Sequence, residues 1–464
     1  MAGTVIDWVV TDAQRARFAT LSGDHNPIHT DPVAARRLQG GRLLVHGAHL
    51  LLGVIEQATT AGLLDGTPTS IDVRFLRGVE PDAPLETTLH AADGAVRATV
   101  TTDALPAVEI TIVPGPLPPS TDVLHGCTSL STPDDLHLDD LDGLRGEFAL
   151  RADPADVTAL VPHAVELLGP TRTAEIAQLS RVVGMRVPGL RSMSARYRIS
   201  FEPPPAESSD LVRYHVDRVD HRMRRISVDV VGPSTRTTIV AFSPIGPIDQ
   251  LPIVEGAVTD PGEFSSRRVL VVGGSRGLGA ATVVLLTARG ADVRFTYRVG
   301  VDDAAAVAAA TGAAAFPLDT LDDVRAIEGV CSDGWQPTHL AWFATPPYGD
   351  GTKAGYSHRH HDELLAVQVD GFVAVLAHLP DSLRSVLWPS SALLDRSSTR
   401  SEELADVKRR GEAACDELRA RHPAVTFATP RLPLMLTDQT TSLLPTEYAD
   451  TALTLLTVLR GQPD

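Results

Sequence analysis

Phe18-Ala-Thr-Leu-Ser-Gly-Asp-His-Asn-Pro-Ile-His29, followed by Thr30-Asp31-Pro32 and then by Val45-His46-Gly47, is the stretch from which the rest of the chain is read. Pro27 fixes its own φ and biases Asn26 toward extended backbone, so Asp24 and His29 are predicted on a turn rather than a helix. A turn can aim both side chains into one pocket, where Asn26 can hold one of them, or a water, by hydrogen bonding. A carboxyl and an imidazole close together in an apolar cavity can divide proton donation and acceptance between them. Taken singly, Asp and Asn are ordinary turn formers; it is the whole string with its downstream partners that points to chemistry. Gly47 stands at the start of an apolar helix predicted over Ala48 to Ala61, and glycine there lets another molecule approach the backbone. His46 and His49 read as packing residues or as supports behind the pair.

Working outward, that helix is followed by Ser70-Ile-Asp-Val-Arg-Phe-Leu-Arg-Gly-Val-Glu-Pro81 and alternating strands through Val113. The same rhythm returns further on: a helix predicted over Thr173 to Val183, then Ser194-Ala-Arg-Tyr-Arg-Ile-Ser-Phe-Glu-Pro203, then strands to Phe242. One helix followed by several period-2 strands is an α+β pattern, and its recurrence suggests a duplication. Pro- and Gly-rich intervals at Val113 to Pro119 and Ser243 to Gly262 break the chain. They set the expected domains as 1–115 and 146–250, with a linker over 116–145, then a linker over 251–264 and a last domain over 265–464.

The string SGDHNPIH, the later VHG and the VRFLRGVEP strand, in that order, resemble the MaoC-like (R)-specific enoyl-thioester hydratases and dehydratases. The resemblance implies a hot-dog fold, in which a sheet wraps a central helix, with Asp24 and His29 as an acid–base dyad, Asn26 beside them and the Gly47 N–H as oxyanion donor. A backbone N–H at a helix start stabilises a developing negative oxygen without a charged side chain. Such an enzyme acts on 3-hydroxyacyl or enoyl thioesters, carried on CoA or an acyl carrier protein, and dehydration needs no cofactor. The second segment has no acid–His pair before its helix (Leu167-Leu-Gly-Pro-Thr-Arg172) and is expected to complete the fold and acyl tunnel without chemistry of its own. His163 and Glu166 are a weaker alternative pair.

The last segment changes rhythm. Short apolar strands at Arg268 to Val272, Ala291 to Tyr297, Ala313 to Leu318, Leu340 to Phe343 and Ser385 to Trp388 alternate with helices, which predicts a Rossmann-like doubly wound parallel sheet. Gly273-Gly-Ser275-Arg276-Gly277-Leu-Gly279 follows the first strand and opens a helix, where backbone N–H groups can meet a pyrophosphate. This turn resembles that of the short-chain dehydrogenases/reductases, and Asp319 stands where that family contacts adenine. Arg276 and Arg298 favour NADP(H) if a nucleotide binds; both can equally be read as solvated arginines. The family's reaction centre uses a Ser and a Tyr-x-x-x-Lys. Ser390 or Ser391 matches the serine and Lys408 the lysine, yet position 404 is Leu, which has no proton to give. Tyr348, Tyr356 or a histidine of Ser357-His-Arg-His-His361 are the available substitutes. That histidine run reads as a solvated loop, and no metal site is expected.

A net charge of −17 argues against nucleic acid as the main partner. No apolar run reaches the ~20 residues of a membrane span, and the first residues lack a secretory pattern. Cys127, Cys331 and Cys415 form no CxxC pair, which fits a reducing compartment, and a cytoplasmic enzyme is expected. The one basic stretch, Arg218 to Arg225, is either a solvated strand face or a landing patch for an acidic carrier. A homodimer is open, since two halves in one chain can satisfy the sheet edge themselves. Three functions fit these residues: a hydro-lyase of fatty-acid- or polyketide-like biosynthesis with a degenerate reductase domain; a bifunctional NADPH-dependent ketoreductase–dehydratase; and a noncatalytic carrier-binding or assembly protein. Ring closure by conjugate addition in the same pocket also stays open.

Overall fold

A computed structural model describes residues 3–463 except 39, 65–67, 117–123, 125, 129–130, 204–208, 252–259, 332, 348–354 and 396–400; Tyr348 and part of each expected linker lie outside the described residues. The chain divides into two compact units, one over residues 1–246 and a second over most of residues 247–464.

The first unit is built on one ten-stranded antiparallel sheet. Its first half holds β1 (Thr4–Trp8), β2 (Pro68–Phe75), β3 (Leu85–Ala92), β4 (Ala95–Thr102) and β5 (Leu105–Pro114). The second holds β6 (Arg145–Ala149), β7 (Met193–Phe201), β8 (Leu211–Asp220), β9 (Arg225–Val231) and β10 (Thr235–Phe242). The order β1-β3-β4-β5-β2-β7-β10-β9-β8-β6 repeats the same five-strand arrangement about the β2–β7 seam. There Ile71 pairs with Ile199 and Val73 with Tyr197, all four buried. The alternation of Ile71, Val73 and the inward residues of β5 (Val108, Ile110, Ile112) puts every second side chain into the core. This is a tandem hot dog, as the repeat predicts.

Short helices α1 (Asp12–Ser22), α2 (Pro27–Thr30) and α3 (Pro32–Ala35) precede α4 (Gly47–Thr60), the central helix of the first half. The second half has α5 (Pro154–Leu160), α6 (Pro162–Leu168) and its own central helix, α7 (Pro170–Arg181). A π-helical turn, Val182–Arg186, continues α7 past the predicted end of the helix. Every residue of α7 from Thr171 to Arg181 is buried, seven of them carrying long polar or charged side chains or a hydroxyl that need partners: Thr171, Arg172, Thr173, Glu175, Gln178, Ser180 and Arg181. Glu175 is held by the β9–β10 turn, accepting from the Ser234 N–H at 3.0 Å, the Ser234 hydroxyl at 2.6 Å and the Thr235 hydroxyl at 2.5 Å. A Cβ at Gly232 would come within 2.4 Å of this carboxyl, so glycine makes the space. The basic stretch Arg218 to Arg225 runs from the end of β8 through the hairpin turn to the first residue of β9, with Arg218, Arg222 and Arg225 exposed and Arg224 donating to the Ser243 carbonyl at 2.5 Å.

In the second unit, strands Arg268–Val272, Asp292–Tyr297, Ala314–Pro317, His339–Trp342, Ser385–Leu387 and Thr426–Ala428 form a parallel sheet in spatial order third, second, first, fourth, fifth, sixth. That is the doubly wound Rossmann arrangement, with its switch point between the first and fourth strands. The histidine run is not a solvated loop: His358–Leu365 is a helix capped by the Ser357 hydroxyl, and His361 is buried on it. No helix among the described residues is long and apolar enough to cross a membrane.

Glu175→Leu leaves three donors without an acceptor inside the protein. It is expected to cost about 3 kcal/mol or more, while Glu175→Gln costs less; urea unfolding of the full chain measures both.

Candidate active site

Asp24 lies just past the end of α1, where Gly23 turns the chain in the left-handed region (φ 69°). Asn26 then caps α2: its Oδ1 accepts from the Ile28 N–H at 3.1 Å, and Pro27 takes the first helical position. His29 therefore sits on a short helix, not on the open turn expected, because cap and proline together favour one helical turn after Asn26. The Asn26 amide does not face Asp24 or His29. It donates to the carbonyls of Gly184 (2.8 Å), Gly189 (3.1 Å) and Leu190 (3.2 Å), tying this loop to the second half of the sheet.

Asp24 is 1% exposed. Its Oδ1 accepts from the Asn26 N–H at 3.1 Å, and its Oδ2 lies 4.0 Å from His29 Nε2 and 3.9 Å from His46 Nε2. His29 Nδ1 donates to the Leu44 carbonyl at 2.8 Å, which leaves the Nε2 lone pair directed at the carboxyl. His46 is fully buried and donates from Nε2 to the Asp24 carbonyl at 3.0 Å. Its ring stacks on His29 at 3.9 Å between centroids, and Phe18 stacks on His49 at 4.6 Å. His46 thus fixes the backbone of one member and the ring of the other, while His49 packs. Arg15 donates to the His29 carbonyl. Among the described residues, Asp24, His29 and His46 also form the group whose ligand atoms all fall within 4.8 Å of one another.

Burial pushes the Asp24 carboxyl up to about 7, against the Asn26 N–H, the Ser180 hydroxyl and the Arg181 charge, which pull it down. Burial lowers His29 to about 4, against the bond to Leu44. The usual order of the two groups is reversed, so between about pH 4 and 7 the site holds a neutral imidazole beside a carboxyl that is largely protonated.

The second half, read from sequence as lacking chemistry of its own, closes over Asp24. Gly184, in the π-helical turn, packs so tightly that a Cβ there would sit 2.4 Å from Asp24 Oδ1. Ser180 and Arg181 come from the end of α7. Tyr197 of β7 is buried, its hydroxyl 2.8 Å from Ser194 Oγ and its ring edge-on to Phe75. Nothing in the short sequence string announces these residues; only the duplication hints that a second helix end must lie nearby. Gly47 is the first residue of α4, where N–H groups have no acceptor within the helix. A Cβ there would meet the Phe75 ring at 2.8 Å, so its glycine is also a packing requirement. His163 pairs with Glu56 of α4 at 2.6 Å and is not joined to Glu166.

In the second unit the glycine turn is tightly built. A Cβ at Gly279 would strike the Gly273 carbonyl at 2.1 Å, and one at Gly274 would strike Phe295 at 2.6 Å. Ser275 lies in the turn, and Gly277 opens the helix Gly277–Ala288. The arginines expected to take a phosphate face carboxylates: Arg298 donates to Asp319 at 2.7 Å, and Arg276 lies 3.8 Å from Asp303 and 4.0 Å from Asp438. Asp319 therefore holds Arg298 in this structure. At the position where the sequence lacks the expected tyrosine, Leu404 packs against the core. Lys408 donates to the Pro389 carbonyl at 2.7 Å with its ammonium 4.5 Å over Trp388, and burial lowers it to about 7. The Ser390 hydroxyl donates to Glu412 at 2.5 Å, and Ser391 accepts from the Leu393 N–H at 3.2 Å. His361 bonds Asp406 at 2.9 Å, and Gln368 donates to Thr345 at 2.9 Å.

Residues 3–108 match the family described as MaoC like domain. The chain is 44% identical over 73 residues to the cyclic-di-GMP-binding biofilm dispersal mediator protein of Escherichia coli K12, a match covering 16% of this chain and 31% of that protein. The chain thus spans about a third of that relative. Among solved structures it is similar to BdcA in complex with NADPH (23% identity, TM-score 0.39, 44% of this chain and 89% of that one). It is also similar to a short-chain dehydrogenase/reductase from Serratia marcescens (20%, 0.38, 43% and 92%). Residues 3–108 are a MaoC-like domain. The chain joins it to a second hot-dog half and to a unit whose own strand order is that of a doubly wound nucleotide fold.

A raised carboxyl pKa has a measurable cost. The unfolded Asp24 ionises from its ordinary 3.8 upward and the native one only near 7, so between those values rising pH favours unfolding. Asp24→Asn does not titrate. Its melting temperature is expected to gain on that of the parent chain as pH rises from 4 to 7, and no further above; thermal melts across that range check it.

Proposed function

We propose that the first unit is a hydro-lyase acting on 3-hydroxyacyl or enoyl thioesters, carried on CoA or an acyl carrier protein, in fatty-acid- or polyketide-like biosynthesis. The observation that carries this reading is the 4.0 Å approach of Asp24 Oδ2 to His29 Nε2 in a buried site that reverses their proton affinities. In dehydration, protonated Asp24 gives its proton to the departing hydroxyl while the His29 Nε2 lone pair takes the proton from Cα. The site is left with a carboxylate beside an imidazolium, and their mutual attraction offsets the weak basicity of the buried imidazole. A proton passes back from His29 to Asp24 to restore the starting state. Hydration is the same sequence reversed, with Asp24 taking a proton from water. The N–H groups at the start of α4, Gly47 first, stabilise the enolate-like thioester oxygen. Asn26 and His46 act as positioning residues, since neither side chain is free to meet the substrate.

In the second unit, Gly273, Ser275, Gly277 and Gly279 form a turn that fits the pyrophosphate of NADP(H), with Arg276 and Arg298 released from their carboxylates to meet the nucleotide. Bound, such a nucleotide supplies hydride chemistry. The chain offers no hydroxyl at position 404 to protonate an alkoxide, and Lys408 is spent on Pro389 and Trp388, so nucleotide binding without ketone reduction is the reading adopted.

Purified chain with crotonyl-CoA tests both. Loss of the enoyl absorbance is expected without nucleotide, and Asp24→Asn or His29→Ala should slow it by about 10²- to 10⁴-fold. Addition of NADPH with a 3-ketoacyl thioester should give no oxidation of the nucleotide. Hydration unchanged in both variants would remove the dyad, and NADPH oxidation would establish the bifunctional enzyme instead.

A further inference from the structure

Residues 247–251 open the second unit directly after the last residue of the first. They fall in the Pro-rich interval that reads as a linker, where Pro244, Pro247 and Pro252 break any helix or strand. The structure fastens them down. The Ile248 N–H donates to Asp438 Oδ1 at 2.7 Å, and the Gln250 amide donates to the Leu436 carbonyl at 2.9 Å. Leu251 packs against the cluster that holds Val283, Leu455 and Leu459. Gln250 is only 3% exposed, so a polar side chain is carried into the interior to make its contact. A simple tether between two units needs none of these bonds.

The loop that receives this strap belongs to the glycine turn as well. It is closed on itself: the Thr440 hydroxyl donates to the Met435 carbonyl at 2.6 Å and accepts from the Thr437 N–H at 2.8 Å. A Cβ at Gly277 would meet Thr437 Cγ2 at 3.9 Å, and Asp438 Oδ2 stands 4.0 Å from Arg276 Nη1. One carboxylate thus faces two ways, with Oδ1 on the strap's backbone and Oδ2 toward the cation of the turn. Asp303, 3.8 Å from Arg276 Nε, is a second carboxylate on the same arginine.

A nucleotide phosphate on this turn changes the balance around Asp438. It brings further negative charge and draws Arg276 toward itself, and like charges a few ångström apart repel once the cation between them is taken. Asp438 relieves the repulsion by turning away, and the Ile248 N–H loses its acceptor. We infer that Asp438 is the latch of a nucleotide-released strap: without nucleotide it clamps residues 247–251, and a phosphate on Arg276 opens the clamp. The coupling is reciprocal, because a clamp that nucleotide opens also opposes nucleotide binding. The state of the turn is in this way passed to the stretch of chain that joins the two units. The inference rests on the nucleotide-binding reading of the second unit.

Hydrogen exchange of the full-length chain, followed at the Ile248 amide with and without NADPH, tests this beside calorimetric titration of NADPH. NADPH is expected to speed exchange at Ile248 by about 10-fold or more, as one bond to a charged acceptor is lost, while the amides of the strand Arg268–Val272 stay slow. Asp438→Asn keeps an oxygen for Ile248 and drops the charge. It is expected to bind NADPH about 10-fold more tightly than the parent chain, with exchange at Ile248 no longer answering to nucleotide. NADPH binding by the parent chain with exchange at Ile248 unchanged or slowed overturns the inference and leaves the nucleotide reading standing. So does equal affinity of the parent and Asp438→Asn chains. Exchange that rises as much in Arg268–Val272 overturns it too, since the whole unit would then be loosening. Binding by Asp438→Asn alone supports the latch. No binding by either chain sinks the nucleotide reading, and the inference with it.

Discussion

Putting a carboxyl where water cannot reach it is the constraint on which the first unit depends. Asp24 holds its proton well above the ordinary carboxyl range, up to about pH 7, because Gly184 presses directly on it and the second half of the unit shuts out solvent. That enclosure requires the loop after Gly23 and the turn after α7 to stay locked, and the Asn26 amide, spread over three carbonyls of the second half, supplies the lock. It also requires α7 to be buried on every side, which its polar side chains permit only because Glu175 finds three donors in the β9–β10 turn. Chemistry, duplication and core packing are thus one requirement seen at three scales.

The fold is largely legible in the sequence, because periodicity reports burial directly. The alternation in Ser70 to Phe75 and in Ser194 to Phe201 marks the two strands that meet at the seam, and the shift to strand–helix alternation after Arg268 marks the doubly wound sheet. Asp24 and His29 are legible too, since turn chemistry and residue type sit within one short string. What escapes is non-local. Gly184, Ser180, Arg181 and Tyr197 reach the site from more than 150 residues away, and no short-range pattern encodes that meeting. His46 resembles a packing residue in sequence because its role is to hold a backbone carbonyl and another ring. The helical cap at Asn26 is hidden because the extended bias of a residue before proline says nothing about what its side chain does next.

The second unit has the strand order of a doubly wound sheet, with a glycine turn after its first strand and a set of mutually bonded groups after its fifth. At Gly273, Gly274 and Gly279 the glycine turn leaves no room for a Cβ. After the fifth strand, Trp388 lies fully buried against Gly411, where a Cβ would come within 2.1 Å of the indole, and it carries the Lys408 ammonium on its face. Ser390 is drawn to Glu412, itself paired with Arg431 at 2.9 Å. These groups hold one another, whereas Asp24 Oδ2 and His29 Nε2 face each other at 4.0 Å without a hydrogen bond between them.

Which of that pair carries the shared proton is the central claim, and a pH–rate profile does not decide it, because either order gives the same one-proton window. Infrared difference spectra of the parent chain against Asp24→Asn, recorded from pH 4 to 9, read the carboxyl directly. A protonated carboxylic acid band is expected to persist at pH 6 and to disappear with a midpoint of about 7. A carboxylate already ionised at pH 5 would contradict the assignment.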